Sequence, residues 1–122
     1  MSKEQVTVVY KWIAKPGKLD ELQAIYQEVL EAMRANEPDA QAVHCYVSEA
    51  ENTLYVRDDF ADAAAVGFHL GSTAANHFSR LLEVATPGPF QFLGDLPPSL
   101  QQATQQMGLA AEFSTHAFGF TR

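Results

Sequence analysis

Cysteine and tryptophan each occur once in the 122 residues, as Cys45 and Trp12. A lone thiol closes no internal disulfide, and without a Cys-x-x-Cys pair neither a zinc knuckle nor a dithiol redox motif is present. Positive charge is also scarce: 8 Lys and Arg stand against 15 Asp and Glu, a net charge of −7. No basic cluster reverses that sign locally, so a polyphosphate is repelled and no nucleic-acid partner is expected. The most apolar run, Ala63 to Phe68, falls far short of the roughly 20 residues that span a bilayer. The opening Met1-Ser2-Lys3-Glu4-Gln5 lacks the apolar stretch of a secretory signal, which leads us to expect a cytoplasmic protein with no membrane segment. A Gly-rich phosphate loop and a nucleophile elbow are missing as well, which removes the usual footing for nucleotide-dependent and serine-hydrolase chemistry.

Apolar material is plentiful. At 47% hydrophobic residues the chain has enough for one compact core. Val6 to Ile13 is rich in β-branched and aromatic residues and stops at the turn dipeptide Pro16-Gly17, which predicts a first strand. From Lys18 to Met33 the positions Leu19, Leu22, Ile25, Tyr26, Val29, Leu30 and Met33 recur at helical spacing and form one apolar stripe. Asn36 to Asp39 breaks that helix. Ala42 to Ser48 and Thr53 to Phe60 then read as two strands of a hairpin joined by Glu49 to Asn52.

Asp62 can cap a helix beginning at Ala63, which Gly71 and Ser72 are expected to interrupt before it resumes and runs to about Ala85. Thr86 to Pro89 reads as a turn and Phe90 to Leu93 as a fourth strand. The order β, α, β, β, α, β is the split βαβ, ferredoxin-like α+β arrangement, with helices over one face of an antiparallel sheet. Pro97-Pro98-Ser99 opens a further helix that Gly108 stops, and Phe113 to Phe120 reads as a last strand. We expect one domain over residues 1–122, with a core of about 6–93 and a C-terminal extension of 94–122.

In the first strand Val6, Val8, Tyr10 and Trp12 share one face while Val9 and Ile13 lie on the other. Both faces are therefore apolar, where an open antiparallel sheet ordinarily keeps one polar. Either a ligand pocket or a partner subunit would cover the extra face, and a two-fold dimer packed sheet to sheet satisfies both, so a homodimer is expected. The last strand could extend its own sheet or a partner's edge.

Histidine is the side chain best suited to moving protons near neutral pH, and His44, His69 and His77 all fall in the hairpin or the helix after it. His69 and His77 are eight apart, which does not match the i, i+4 pair of a helical zinc site, so no metal is expected. His44 and Tyr46 share one face of the second strand, with Val43, Cys45 and Val47 on the other. Hence His44 and Tyr46 are both exposed or both turned inward. Cys45 has no basic neighbour and reads as an inert buried thiol. Asp58, at a strand end, could pair with an arginine or orient a histidine, although a solvated carboxylate is its ordinary reading. His116, with Phe118 and Phe120, falls on a face apolar enough to be buried.

The acidic-x-aromatic end of the third strand (Asp58-Asp59-Phe60), the cap at Asp62 and His69 nine positions after Phe60 make the stretch from Val6 to Leu93 similar to the antibiotic biosynthesis monooxygenase family of dimeric α+β barrels. Where that pattern commonly has Glu and Trp, this chain has Asp58 and Phe60. The resemblance implies a homodimer whose sheets and helices enclose apolar cavities. It also implies a monooxygenase that uses neither metal nor flavin and oxidises a small phenolic, quinol-like or anthrone-like substrate with molecular oxygen. On that reading His69 is the catalytic proton acceptor or oxyanion partner. Trp12, Tyr10 and Tyr46 are the ring-stacking wall, and His44, His77, Asp58 and His116 are further substrate contacts. A non-catalytic ligand-binding or stress-responsive module of the same fold is the alternative. Haem-degrading relatives use an Asn on the first strand, and Val6 to Ile13 has none.

Overall fold

The computed structural model describes residues 5–122, so the polar segment Met1 to Glu4, used above to argue against a secretory signal, lies outside the described residues. The elements are β1 (Val6–Ala14), α1 (Leu19–Asn36), β2 (Ala40–Ser48), β3 (Thr53–Phe60), α2 (Ala63–His69), α3 (Ala75–Val84), β4 (Ala85–Pro87), β5 (Phe90–Leu93), α4 (Pro98–Gln106) and β6 (Ala111–Ser114). One sheet holds all six strands in the order β2-β3-β1-β5-β6, with β4 also paired to β1. This is the α+β, ferredoxin-like architecture expected from the element order.

Register decides which side chains meet. Antiparallel pairing sets Val6 opposite Phe60, Val8 opposite Asp58, Tyr10 opposite Val56 and Trp12 opposite Leu54. All eight are buried, because this face lies under the helices. On β2, Val43 pairs with Asp58 and Cys45 with Val56, so they join the covered face. The alternate residues, His44, Tyr46, Tyr55, Arg57 and Ile13, point to the outer face. The apolar stripe of α1 supplies Leu22, Ile25, Tyr26, Val29 and Met33 to the core.

Three details depart from the sequence reading. Gly71 and Ser72 do not interrupt the helix. The backbone instead widens into a π-helical turn, Leu70–Ala74, and continues directly into α3. Thr86 and Pro87 belong to β4 and not to a turn, and Gly88 N–H still bonds the Lys11 carbonyl at 2.8 Å, so β4 and β5 together run along one side of β1 with a bend at Gly88-Pro89. The last strand is shorter than expected. β6 ends at Ser114 and runs parallel to β5 within its own sheet, while Phe118 and Phe120 beyond it are almost fully exposed. Gly94, at φ +130°, makes the turn after β5, where a Cβ would sit 3.0 Å from the Gln5 carbonyl oxygen.

Candidate active site

Between the covered face of the sheet and the helix running from α2 through the π turn to α3 lies an apolar cavity. Val8, Tyr10 and Trp12 from β1, Asp58 and Phe60 from β3, and Tyr26 from α1 form part of its wall. His69, Leu70, Ala74, His77 and Phe78 close it from the helix above. The rings are packed against one another: Tyr10 stacks on Phe90 at 4.3 Å, and Phe78 meets Trp12 edge-on at 5.9 Å. Free space amounts to about 40 Å³, room for roughly three water-sized molecules and well below the about 150 Å³ of a cavity that accepts benzene. A ring can therefore enter only if the lining moves.

Two polar clusters interrupt this apolar wall. In the first, His69 Nδ1 lies 2.9 Å from Glu37 Oε2, with both side chains buried. Nδ1 facing a carboxylate carries the proton, so in neutral His69 the lone pair is on Nε2. Burial alone would raise the Glu37 pKa, but the His69 and Thr73 hydrogen bonds and the His69 charge outweigh it and hold the carboxyl below its ordinary range. Phe60 lies beside the imidazole at 5.5 Å.

In the second cluster, the Tyr10 hydroxyl donates to Asp58 Oδ2 at 2.9 Å and is itself hydrogen-bonded to the Tyr26 hydroxyl. Tyr10 has a single proton, so Tyr26 must be the donor to Tyr10. Asp58 is 2% exposed, and its Oδ1 has no hydrogen-bond partner. Burial pushes its pKa up to about 6, against the lowering pull of the His69 charge and the Tyr10 hydrogen bond. Both tyrosines are raised well above 10, by burial first and by the Asp58 charge second. The Trp12 indole N–H also lacks a partner in hydrogen-bonding geometry, although it is close enough to the Tyr26 hydroxyl to ease that group's ionisation.

The sequence-derived candidates therefore separate by face. Tyr10, Trp12, Asp58, His69 and His77 all line the cavity. Asp58 is not a solvated carboxylate, and Arg57 pairs with Asp59 at 3.3 Å instead. His77 is half-buried, and its Nδ1 donates to the Thr73 carbonyl at 2.8 Å, which leaves Nε2 as its basic nitrogen. Tyr46 and His44 are exposed on the outer face, because β2 turns only Val43, Cys45 and Val47 toward the helices. Cys45 is half-buried there, and its thiol is pushed up to about 11 by burial and by the Asp58 charge. His116 lies neither on a strand nor in the cavity; in the single chain it is exposed beside an open depression on the outer face with Thr7, Val9, Arg57 and Leu93.

Sequence reading missed Glu37 and Tyr26. Glu37 sat in a segment read only as a helix break. Tyr26 was taken as one member of an apolar stripe, although a hydroxyl on such a stripe must find a partner once buried. Among the described residues no group of three or more His, Cys, Asp or Glu could hold a metal ion, and no helix is long and apolar enough to cross a membrane.

The family profile for antibiotic biosynthesis monooxygenases matches residues 5–81. No functionally curated protein matches the chain in sequence. Among solved structures, MupZ from Pseudomonas fluorescens superposes with a TM-score of 0.82 at 16% identity, covering 98% of this chain and 96% of its own. Rv0793 from Mycobacterium tuberculosis gives 0.67 at 19% identity, covering 79% and 99%. A variant of SnoaB, a cofactor-independent oxygenase from Streptomyces nogalater, gives 0.61 at 18% identity, covering 72% and 89%. At these identities the likeness is one of fold, and MupZ is the one of the three whose match takes in the C-terminal extension.

Proposed function

The chain belongs to the antibiotic biosynthesis monooxygenase family, and from that premise we propose that it is a cofactor-independent monooxygenase acting on a small phenolic, quinol-like or anthrone-like substrate. The single observation that carries this reading is the His69–Glu37 pair in an aromatic cavity. Such a substrate, once deprotonated, is electron-rich enough to reduce dioxygen itself. The protein then needs a base, a group that stabilises the oxyanion, and a dry enclosure. His69 supplies the base through Nε2, and Glu37 fixes its tautomer and offsets the positive charge it acquires. Trp12 and Tyr10 supply flat walls against which a ring can stack. SnoaB, a fold relative described as a cofactor-independent oxygenase, adds support from outside the chain.

The active unit on this reading is a homodimer in the cytoplasm. Ile13, Tyr46, Tyr55 and Leu93 leave an exposed apolar band on the outer sheet face, and a two-fold axis would bury it against its own copy.

The small free space of the cavity favours the second reading, a ligand-binding module with no catalysis. Oxygen uptake with a panel of quinols and anthrones under metal chelation separates the two. A catalytic protein consumes oxygen well above buffer and loses that rate on His69→Ala. Uptake no faster than buffer, or a His69→Ala variant with full rate, leaves the non-catalytic reading standing.

A further inference from the structure

Conversion of a substrate CH₂ group and dioxygen to a carbonyl and water takes two protons from carbon and delivers two to oxygen, and the His69–Glu37 pair accounts for one of each. We propose that Asp58 is a second catalytic residue, the general acid that protonates the peroxide intermediate through Oδ1; this rests on the oxygenase reading above and assigns it a further residue.

Geometry leaves one carboxyl oxygen of Asp58 free to carry the proton. Oδ2 already accepts the Tyr10 hydroxyl, which is held in turn by Tyr26. A proton on Asp58 therefore resides on Oδ1, the unpartnered oxygen of a fully buried side chain in the cavity wall. The two carboxyls of the site are also driven in opposite directions. Glu37 is held down by His69 and Thr73, while Asp58 is pushed up by burial. Carboxyls separated in this way are the mark of one acid and one base arrangement in a single site. The titratable groups around Asp58 are Tyr10 on β1, Tyr26 on α1, Glu37 just after α1, Cys45 on β2, His69 on α2 and Asp59 on its own strand. His69 is the one among them that gains positive charge on protonation, so transfer of the first proton to it favours release of the second from Asp58.

The steps balance as follows. His69 Nε2 takes a proton from the CH₂ group, leaving a carbanion delocalised onto the ring oxygen. One electron passes to dioxygen, and the two radicals join in a carbon–oxygen bond to give a peroxide anion. Asp58 Oδ1–H gives its proton to the terminal peroxide oxygen. The resulting carboxylate then removes the remaining hydrogen of that carbon as a proton. The C–H electron pair becomes the second carbon–oxygen bond, the O–O bond breaks, and the departing hydroxide takes the His69 proton to leave as water. The carbon loses four electrons, dioxygen gains four, and both side chains regain their starting protons.

The test uses anthrone as the probe with wild type, Asp58→Asn and Asp58→Glu. Asparagine keeps an acceptor for Tyr10, and a thermal melt of each variant checks that it is folded. Expected for Asp58→Asn is an unchanged enolate absorption on anaerobic binding and continued oxygen uptake. Anthraquinone formation should slow by at least about a hundredfold, the order lost with a general acid, while a hydroperoxide accumulates. Asp58→Glu should recover part of the rate. Wild-type anthraquinone yield and rate in Asp58→Asn would overturn the assignment, as would loss of the anaerobic enolate band, since Asp58 would then be the first base. A wild type that itself takes up no oxygen overturns the oxygenase reading and this step together, and is recognised because no variant is needed to see it.

Discussion

Glu37 and His69 stand 32 positions apart in sequence and meet at 2.9 Å, the carboxylate from the chain leaving α1 and the imidazole from the last residue of α2. Both are buried, and Glu37 is the hydrogen-bond partner that holds the His69 Nδ1 proton. Glu37→Gln keeps the shape but weakens the hold on the Nδ1 proton. We expect a stability loss of about 1–3 kcal/mol by denaturant unfolding near neutral pH and at least a tenfold loss of oxygenase rate, on the order seen when a histidine's orienting partner is removed. Glu37 has a lowered pKa in the folded state, so its contribution is present above the ordinary value of 4.5 and fades as the pH falls through the folded value. The stability gap between wild type and variant should accordingly close in acid.

Asp58 has the opposite sign. Its pKa rises from 3.8 to about 6 on folding, so the folded protein binds the proton more tightly and stability falls as the pH rises from about 4 to 6. Asp58→Asn removes that penalty. Unfolding at pH 8 should find the variant more stable by up to about 3 kcal/mol, the displacement at 1.36 kcal/mol per pH unit, with the advantage gone below pH 4. A variant less stable than wild type at pH 8 would show that the Asp58 carboxylate is better solvated than its burial indicates.

Tyr10→Phe removes the hydrogen bond that pulls the Asp58 pKa down. Asp58 should then titrate higher still, visible as a shift in its carboxyl carbon resonance with pH. The Tyr26 hydroxyl loses its acceptor in the same change, and the fold should weaken by about 1–3 kcal/mol. An Asp58 midpoint that stays put or moves down would mean that Tyr10 is not its controlling partner.

The outline of the fold was legible in sequence where periodicity was strong. The α1 stripe, the β2–β3 hairpin and the inward set Val6, Val8, Tyr10 and Trp12 all lie as their spacing predicts. His69 stands out in the sequence itself as a proton-handling side chain. The facing of His44 and Tyr46 was not legible, because alternation says which residues share a face and leaves open which face the helices cover. Glu37 and Asp58 were obscured for another reason. A carboxylate in a loop or at a strand end is ordinarily solvated, and only tertiary packing put the Tyr10 hydroxyl and the His69 ring against them. The π turn also hid behind Gly71, whose helix-breaking tendency is outweighed by the helical residues on either side.

That outcome can be tested directly. Gly71 has no positive φ, and a Cβ built on it meets nothing within 4 Å. Gly71→Ala should therefore stabilise the protein by about 0.4–1 kcal/mol, mostly by restricting the unfolded chain. If glycine were needed as a break, the substitution would destabilise instead, and thermal unfolding separates the two signs. Because Leu70 and Ala74 of the same turn line the cavity, a stiffer turn should also slow entry of a ring-sized ligand into a site with only about 40 Å³ free.

Tyr46 and Tyr55 face each other across β2 and β3 on the outer side of the sheet, 60% and 38% exposed. A stable interface buries about 800 Å² on each partner, and Ile13 on β1 and Leu93 on β5 are further exposed apolar side chains of the same sheet face. In a sheet-to-sheet dimer with two-fold symmetry, every substitution on this band occurs on both sides of the interface. Replacing both tyrosines with glutamate brings like charges together there without touching the core under the helices. Light scattering at micromolar protein should give about twice the 13.4 kDa chain mass for wild type and the chain mass itself for the double variant, with the circular dichroism of both unchanged. A wild type of 13.4 kDa would rule out the dimer. A variant that stays dimeric would move the interface off this face, away from the tyrosine pair and toward the edge strand β6 or the exposed Phe118 and Phe120.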